Sequence, residues 1–338
     1  MGNMRLLIIT QKVDINDDIL GFFHHWIEKL AEKFESIIVI CLQKGEYNLP
    51  KNVEILSLGK EKNRSKIKYL WNFYKYIFLY RKNYDSVFVH MNQKYVILGG
   101  IFWKLFGKKV SMWRNHLKGN FFTRITVLMS DVVFCTSQFA FVSKYKKTKI
   151  MPVGIDIEKF KPQISNLKSP NSILYLGRIS PIKKVDILIE ALRILRDKNI
   201  NFRAKIIGDA TEKDKKYYKN LKQYVDIERG VPNYRTPEIY NQYEIFVNMT
   251  NSGSMDKTIF EAMACGCLVL LSNKSLLGQI DERLFFEENN ADDLAIKLEK
   301  ILSLSDSEKQ SIIKTSKDFV IQKHSLNLLI KKLLEEFK

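Results

Sequence analysis

Short apolar runs alternate with segments of helical periodicity along this chain of 338 residues. In 18–34, for example, Phe22, Phe23, Trp26, Ile27 and Leu30 recur at helical spacing. Strands that alternate with helices predict an α/β protein, in which parallel sheets are covered by helices on both faces. The first set of strand-like runs comprises 5–10, 36–42, 86–90, 109–113 and 131–135.

A second set follows a stretch rich in turn signals. Residues 149–162 end on Pro162, and 163–171 has the composition of a linker. The second set comprises 172–178, 203–209, 244–249 and 268–272. The pattern predicts two doubly wound, Rossmann-like domains, 1–163 and 164–318, with a final helix in 319–338. Ligands of such sheets bind beyond the carboxyl ends of the strands, so each domain would supply one wall of a cleft.

The charge is unevenly distributed. The net charge is +18, and residues 60–118 hold 14 Lys/Arg against only Glu61 and Asp85. Within this region 63–83 reads as a basic, aromatic amphipathic helix, which suits an anionic membrane surface. The alternative is an ordinary domain helix with a buried apolar stripe and a solvated basic face. Nucleic acid is disfavoured as a partner because no nucleic-acid motif is recognisable. The apolar residues of the predicted stripe are Ile67, Leu70, Trp71, Tyr74, Ile77 and Phe78.

The cysteines and the apolar runs bear on the compartment. The four cysteines lack the spacing of a zinc site and are expected to be buried thiols in a reducing compartment. The run 5–10 is too short for a signal peptide, and 95–103 is half of what a bilayer span requires. We expect a cytoplasmic protein, with peripheral attachment to the inner face of a membrane as the further possibility raised by the basic helix.

The stretch "YLGRISPIKK" carries the first chemical signal. A strand ends before Gly177, which allows a tight turn, and Arg178 and Lys183 follow, with Pro181 stiffening the loop between them. A helix begins shortly afterwards, so its positive end faces the same place. Two cations beside a helix N-terminus can hold a diphosphate. The alternative is a solvated Arg and Lys on a surface loop.

The stretch "NSGSMDKTIFEAMACG" (251–266) carries the second signal. Gly253 and Ser254 allow close backbone approach to a ligand, Lys257 can meet a phosphate, and Glu261 can accept ribose hydroxyls one turn later. The alternative is a helix start capped by Asp256. Two weaker signals are Asp209 at the end of "IIGDA" and the turn around Val231, whose backbone could hold a base.

Together, in this order and spacing, these stretches resemble the family 4 retaining glycosyltransferases of the GT-B fold, or glycosyl transferases group 1. The matching pieces are "MPVGIDIEKFKP", "ILYLGRISPIKKVDILIEAL", "IIGDA" and "TIFEAMACGCLVLLS". The resemblance is strong over 149–280 and looser over 1–148. It implies that Arg178 and Lys183 bind the donor diphosphate, that Glu261 binds the ribose, and that the last helix crosses back to the first domain.

The chain departs from the family pattern in one place. The first Glu of the E-x7-E motif would stand at 253, where this chain has Gly253, and "SMDK" replaces the usual Gly-Phe-Gly segment. Backbone amides at 253–257 are expected to reach the sugar and phosphates nevertheless. Asp256 and Lys257 are expected to take over the polar role of the lost carboxylate.

The resemblance also assigns roles in the first half. Gly21 falls where relatives have a flexible loop that touches the donor. His90 ends one strand and His116 follows another, both are expected to face the acceptor, and His116 matches the family's histidine near the reacting carbon. For both histidines the alternative is a core or capping role.

The resulting hypothesis is a retaining, metal-independent hexosyltransferase. It would move a hexose from a nucleotide diphosphate sugar to a glycan or lipid-linked acceptor in cell-surface polysaccharide or glycoconjugate synthesis. No Asp-x-Asp follows a strand, so we expect neither a metal nor another cofactor, and the catalytic candidates are His116, Arg178 and Lys183. The alternatives are a nucleotide-sugar epimerase and a non-catalytic nucleotide-sugar or membrane-surface binding protein on the same fold.

Overall fold

The computed structural model describes residues 4–163 and 168–337. The chain divides into two compact units. The first comprises Met1–Gly154 together with Asn327–Lys338, and the second comprises Ile155–Leu326. Each unit has its own sheet, and every strand pairing in both sheets is parallel.

The first unit contains a seven-stranded sheet. Its strand order is β3-β2-β1-β4-β5-β6-β7, so the order reverses between β1 and β4. Strands β1 and β4 each have a neighbour on both sides, and the apolar runs 6–9 and 87–89 within them are buried, as expected for the centre of a parallel sheet. The strands are β1 (Arg5–Val13), β2 (Ser36–Lys44), β3 (Val53–Ser57), β4 (Ser86–His90), β5 (Lys109–Trp113), β6 (Val132–Cys135) and β7 (Thr148–Ile150).

Four helices connect these strands. They are α1 (Gly21–Ala31), α2 (Lys66–Leu79), α3 (Lys94–Leu105) and α4 (Phe121–Met129). Trp103, Phe73 and Ile77 belong to the hydrophobic core that α2 and α3 share with the sheet. Asn120 caps α4 in a capping box with Thr123, which fixes where this helix begins.

The second unit contains a four-stranded sheet in the order β11-β10-β8-β9. Its strands are β8 (Ser169–Leu176), β9 (Arg203–Ile207), β10 (Tyr243–Asn248) and β11 (Leu268–Leu271). Its helices are α5 (Val185–Asp197), α6 (Lys215–Leu221), α7 (Thr236–Tyr240), α8 (Lys257–Ala264), α9 (Ala291–Leu302) and α10 (Asp306–His324). The two central strands, β8 and β10, end next to the loops that carry the predicted chemistry.

The last helix, α11 (Leu326–Phe337), belongs to the first unit over Asn327–Lys338. Phe337 is 4% exposed and lies against the rings of Phe34, Phe88 and Phe134, with centroids 5.6–6.2 Å apart. The Ser86 hydroxyl donates to the Phe337 carbonyl at 3.1 Å. The helix therefore completes the core of the first unit after the whole second unit has intervened.

Several boundaries differ from the sequence prediction. In the sequence, the boundary between the two units lies between residues 154 and 155, whereas the predicted boundary lies between 163 and 164. Strands β3 and β7 were not predicted; both are edge strands with few fully buried side chains, so their apolar pattern is weak. Of the predicted linker 163–171, residues 164–167 lie outside the described residues, and β8 begins within its remainder.

Two findings bear on compartment and membranes. All four cysteines are buried, unpaired thiols. A search of the helices in the described ranges finds none with the length and hydropathy that a bilayer crossing demands.

Phe337→Ala tests whether the last helix stabilises the first unit. Removing a buried ring leaves a cavity, so we expect the free energy of unfolding in urea to fall by about 3 kcal/mol. The matched control is Phe121→Ala, because Phe121 is 71% exposed and its loss should change stability by less than about 0.5 kcal/mol. Equal effects of the two substitutions would contradict the packing role of α11.

Candidate active site

The carboxyl ends of β8 and β9 are held unusually close together. The Gly177 amide donates to the Ile207 carbonyl at 3.0 Å, and the Ile179 amide donates to the Asp209 carbonyl at 2.9 Å. A Cβ on Gly208 would lie 1.8 Å from the Gly177 carbonyl oxygen, so only glycine fits there. The contact brings the loop of Arg178 beside the loop of Asp209.

Asp209 organises a second loop. Its carboxylate accepts the Gly230 amide at 3.1 Å, which positions the turn that contains Val231. The structure therefore brings these two predicted residues together at the same edge of the sheet as Arg178.

Polar atoms without partners cluster at this edge. Arg178 Nε is buried and has no hydrogen-bond partner, and the same holds for Ser180 Oγ and Asn251 Oδ1. The Arg178 backbone is fixed, since its carbonyl accepts the Tyr175 hydroxyl at 2.9 Å. Buried polar groups without partners are costly and therefore rare in folded proteins. Three of them on the loops after β8 and β10 indicate a place for a polar ligand.

Lys183 lies in the same loop and forms a shielded ion pair with Asp256. The Asp256 carboxylate also accepts the hydroxyls of Thr250 at 2.8 Å and Ser254 at 2.7 Å, and the Asn248 amide at 3.3 Å. Burial alone would raise the pKa of Asp256, but the Lys183 charge and these hydrogen bonds lower it to about 2. Asp256 is therefore a fixed negative charge beside Arg178 and Lys183, the two cations that are predicted to hold a diphosphate.

Asp256 does not cap α8 through its side chain. It occupies the N-cap position, but its carboxylate makes no hydrogen bond to the helix amides. The alternative interpretation of Asp256 as a helix cap is therefore wrong. The carboxylate instead joins the β10 end to Lys183.

Gly253 has a conformational reason to be glycine. Its φ is +100°, a region that side-chain-bearing residues rarely adopt, and its amide donates to Ser275 Oγ at 2.8 Å. A glutamate at this position would strain the loop. Glu288, which the sequence interpretation missed, accepts the amide and the hydroxyl of Ser252 at 2.7 and 2.5 Å. Nothing in the local sequence signals this carboxylate, because it arrives from a distant loop.

Glu261 lies on α8 and is 3% exposed. Its two carboxylate oxygens accept the Asn233 side-chain amide at 3.1 Å and the Tyr240 hydroxyl at 3.2 Å. Lys257 lies one helical turn earlier. Burial lowers the pKa of Lys257 and raises that of Glu261, while the opposite charge of each opposes the shift of the other. Asn233 and Tyr240 follow the turn around Val231 and are not among the predicted site residues.

The predicted residues of the first unit are dispersed. Gly21 is the buried first residue of α1, and its amide donates to the Asp17 carbonyl at 3.1 Å. His90 is 1% exposed, stacks on Phe23 with ring centroids 3.7 Å apart, and lies 3.3 Å from Thr10 Oγ1. This is the placement of a core histidine, so the expectation that His90 faces an acceptor does not fit its burial.

His116 is placed differently. Its ring is exposed, and Nδ1 lies 3.0 Å from both the backbone nitrogen and the carbonyl oxygen of Lys118. The loop after β5 therefore holds the ring in position while leaving it accessible. The two histidines thus differ in environment, since His90 is buried in the core and the His116 ring is exposed.

The amphipathic helix α2 buries less than predicted. Its buried residues are Asn72, Phe73 and Ile77, whereas Ile67 is 82% exposed and Trp71 is 65% exposed. The predicted apolar stripe is thus wrong in part, because Ile67, Leu70 and Trp71 are exposed.

One group among the described residues has metal-ligand spacing. It consists of His24, His25 and Glu28 on α1. His24 Nε2 already accepts the Asn48 amide at 3.1 Å, and His25 Nδ1 lies 3.1 Å from Glu28 Oε2. These atoms therefore have partners within the protein.

Residues 156–319, nearly the whole second unit, match the family described as glycosyl transferases group 1. Residues 156–319 therefore form a glycosyl transferases group 1 domain, and the chain has the GT-B fold. Among curated proteins it is 25% identical over 309 residues to an uncharacterized glycosyltransferase, MJ1178, of Methanocaldococcus jannaschii, with 84% of each chain covered.

Two further comparisons support the assignment. The chain is 23% identical over 206 residues to the O-antigen biosynthesis glycosyltransferase WbnH of Escherichia coli, covering 59% of this chain and 58% of that protein. Its fold is similar to that of Anabaena Alr3699/HepE, whose structure was determined in complex with UDP. The TM-score is 0.77 at 17% identity, with 98% of this chain and 99% of that chain covered.

Asp256→Asn tests the fixed charge beside Lys183. A carboxyl whose folded pKa is lowered stabilises the protein above its ordinary pKa of 3.8, and this contribution is lost as the pH falls toward 2. We expect the native protein to lose about 2 kcal/mol of unfolding free energy between pH 5 and pH 2 through this group, and the variant to lack that loss. Urea unfolding across this range measures it.

Asp292→Asn is the control, because Asp292 is an exposed carboxylate at a helix start. If both variants lose the same unfolding free energy between pH 5 and pH 2, the ion pair of Asp256 does not stabilise the protein as described above.

Proposed function

We propose that this glycosyltransferase is a retaining, metal-independent hexosyltransferase that uses a nucleotide diphosphate sugar. The observation that carries the proposal is the position of two cations, Arg178 and Lys183, on the loop after β8 beside buried polar atoms that lack partners. A diphosphate would satisfy both the charges and the hydrogen-bonding groups. The name of the Anabaena structure, a complex with UDP, supports a nucleotide ligand for this fold.

Each donor-side residue has a proposed role. The diphosphate binds Lys183 in competition with the Asp256 carboxylate, and it also contacts Arg178 and the free backbone amides at the N-terminus of α8. Glu261 accepts ribose hydroxyls, and backbone groups near Val231 hold the base. Gly253 and Ser254 let the backbone approach the sugar closely, and Lys257 adds charge beside the phosphates.

The cations also account for the chemistry. As the glycosidic bond breaks, negative charge develops on the leaving nucleotide diphosphate, and preorganised cations stabilise it without a metal. In a retaining reaction of this type a phosphate oxygen of the donor helps to deprotonate the acceptor, so no protein nucleophile is needed. His116 is the candidate side chain near the reacting carbon, and its ring is accessible.

We propose a glycan or lipid-linked glycan as the acceptor, in cell-surface polysaccharide synthesis. WbnH, by its name, acts in O-antigen biosynthesis, which supports this class. An epimerase is less suitable, because it needs carboxylates free to move protons, and both Glu261 oxygens already accept protein hydrogen bonds.

The donor proposal predicts stabilisation by one nucleotide sugar. A panel of UDP-, GDP-, ADP- and dTDP-sugars should contain one that raises the melting temperature, because a ligand that binds only the native state stabilises it by mass action. The shift should survive EDTA. With that donor, Arg178→Ala or Lys183→Ala should lower turnover by about 100- to 1,000-fold, the size of one preorganised electrostatic contact.

Arg193→Ala is the matched control, because Arg193 is an exposed cation on α5 that pairs with Glu190 and Asp197. If the Arg178→Ala and Lys183→Ala variants both turn over at nearly the rate of the control, these two residues do not bind the diphosphate as proposed. Donor binding that disappears in EDTA would refute metal independence.

We further propose that the first unit docks on the inner face of an anionic membrane. Helix α2 packs on α3 through Phe78, which lies 5.1 Å from Phe102 between ring centroids, and α3 packs on α4. We call this helical layer the α2–α4 surface. It exposes large apolar side chains beside many Lys and Arg side chains, as interfacial binding requires. The exposed apolar residues are Ile67, Trp71, Leu79, Ile101, Leu105, Phe121, Phe122 and Leu128.

Replacing Lys66, Lys68 and Lys75 together with Glu tests this surface. Each basic residue near an anionic bilayer contributes about 1 kcal/mol, so binding to phosphatidylglycerol-containing liposomes should weaken by at least about 100-fold. The nucleotide-induced thermal shift should stay unchanged.

The control is the same charge reversal at Lys213, Lys216 and Lys219, three exposed lysines of the second unit. Loss of liposome binding in the control alone, or in neither protein, would remove the α2–α4 surface as the docking face.

A further inference from the structure

The first unit contains a long stretch without acidic residues. Between Asp85 and Asp131 the chain has seven Lys or Arg residues and no Asp or Glu. Both flanking carboxylates are already used, since Asp85 pairs with Arg5 at 2.8 Å and Asp131 pairs with Lys104. The cations of this stretch other than Lys104 therefore need a counter-charge from elsewhere.

Arg114 is the cation of this stretch that the fold holds in place. It directly follows β5, and its amide donates to the Phe134 carbonyl at 2.8 Å. Its guanidinium donates to the Lys118 carbonyl at 2.8 Å and to Thr123 Oγ1 at 3.3 Å. Thr123 is part of the capping box of α4, so the support of the guanidinium is itself rigid.

The charge of Arg114 is only partly compensated. Its side chain is half-buried, Nε is buried without a hydrogen-bond partner, and none of the ion pairs among the described residues includes it. Burial lowers the pKa of its guanidinium, and no acidic neighbour offsets that shift. A fixed, partly desolvated cation without a counter-ion is costly for a protein to keep.

The loop after the adjacent strand contains a second buried polar group without a hydrogen-bond partner. Thr136 follows the adjacent strand β6, and its hydroxyl is buried without a partner. Its amide donates to the Asn115 side chain at 2.9 Å, which ties the loops after β5 and β6 together. Both loops lie at the carboxyl edge of the sheet, where parallel α/β sheets bind ligands. The accessible His116 ring lies two residues beyond Arg114.

From these features we infer that the loops after β5 and β6 form an oxyanion subsite centred on Arg114, which binds an anionic group of the acceptor. The planar guanidinium suits a phosphate ester or a sugar carboxylate equally, and it could hold either through two parallel hydrogen bonds. That the bound anion belongs to the acceptor rests on the proposed function. That these loops bind an anion does not. An uncharged glycan acceptor would leave Arg114 without a counter-charge.

The test is titration of the full chain with glucose 1-phosphate, glucuronate and neutral glucose as probes, with UDP present throughout to occupy the Arg178 and Lys183 loop. The Arg114 Nε–H resonance, assigned by its loss in Arg114→Lys, reports on the guanidinium. We expect it to shift with one or both acidic sugars and not with glucose, and the two acidic probes distinguish a phosphate from a carboxylate source. Arg114→Gln should weaken binding of the effective probe by roughly tenfold, the value of a hydrogen bond to a charged group.

Arg124→Gln is the matched control, since it removes an exposed cation from the same acid-free stretch. It should bind the probe like the native chain, and Arg114→Lys, which keeps the charge, should bind with intermediate affinity. Melting curves of all variants identify loss of fold. An Nε–H resonance that responds to neither acidic sugar, or equal loss of binding in the Arg114→Gln and Arg124→Gln variants, would overturn the subsite. If UDP does not bind, the nucleotide that the thermal-shift panel identifies takes its place, and failure of all four nucleotides to bind would instead count against the donor site.

Discussion

The parallel direction of every strand pairing is the constraint on which the rest of this protein depends. It sends all strand carboxyl ends to one edge of each sheet, and the loops with the candidate chemistry start there. In the second unit this edge is tightened further, because Gly208 lies against the Gly177 carbonyl and joins two loops that would otherwise be separate. Backbone geometry thus places Arg178 beside Asp209, while the ion pair with Asp256 fixes the Lys183 side chain and the Gly230 amide fixes the Asp209 carboxylate.

The loop that departs from the family pattern at Gly253 and Asp256 is held by contacts of its own. A glycine in a left-handed conformation lets the loop turn, Glu288 anchors that turn through Ser252, and Asp256 occupies Lys183 with a permanent negative charge. Two carboxylates therefore hold this loop. Asp256 lies within the motif and can be singled out from the sequence, whereas Glu288 comes from a distant loop and can be recognised only in three dimensions.

Much of the fold follows from hydrophobic periodicity, because the central strands β4 and β5 are buried and bounded by clear turns. The edge strands β3 and β7 escaped prediction since half-exposed residues give no such pattern. In the candidate site, Arg178, Lys183 and Glu261 could be proposed from the sequence because each lies in a contiguous motif. His90 was misjudged since a strand end can point a side chain into the core, and Arg114 was overlooked because its significance lies in the absence of acidic neighbours.

The return of α11 to the first unit has a consequence for the order of folding during synthesis. The second unit is a continuous segment, so its core can form as soon as residues 155–326 have left the ribosome. The first unit is split in sequence. Phe88 and Phe134 therefore cannot pack against Phe337 until the end of the chain has been synthesised. The part of the protein made first is therefore the part completed last, and chaperones have the longest access to its aromatic core.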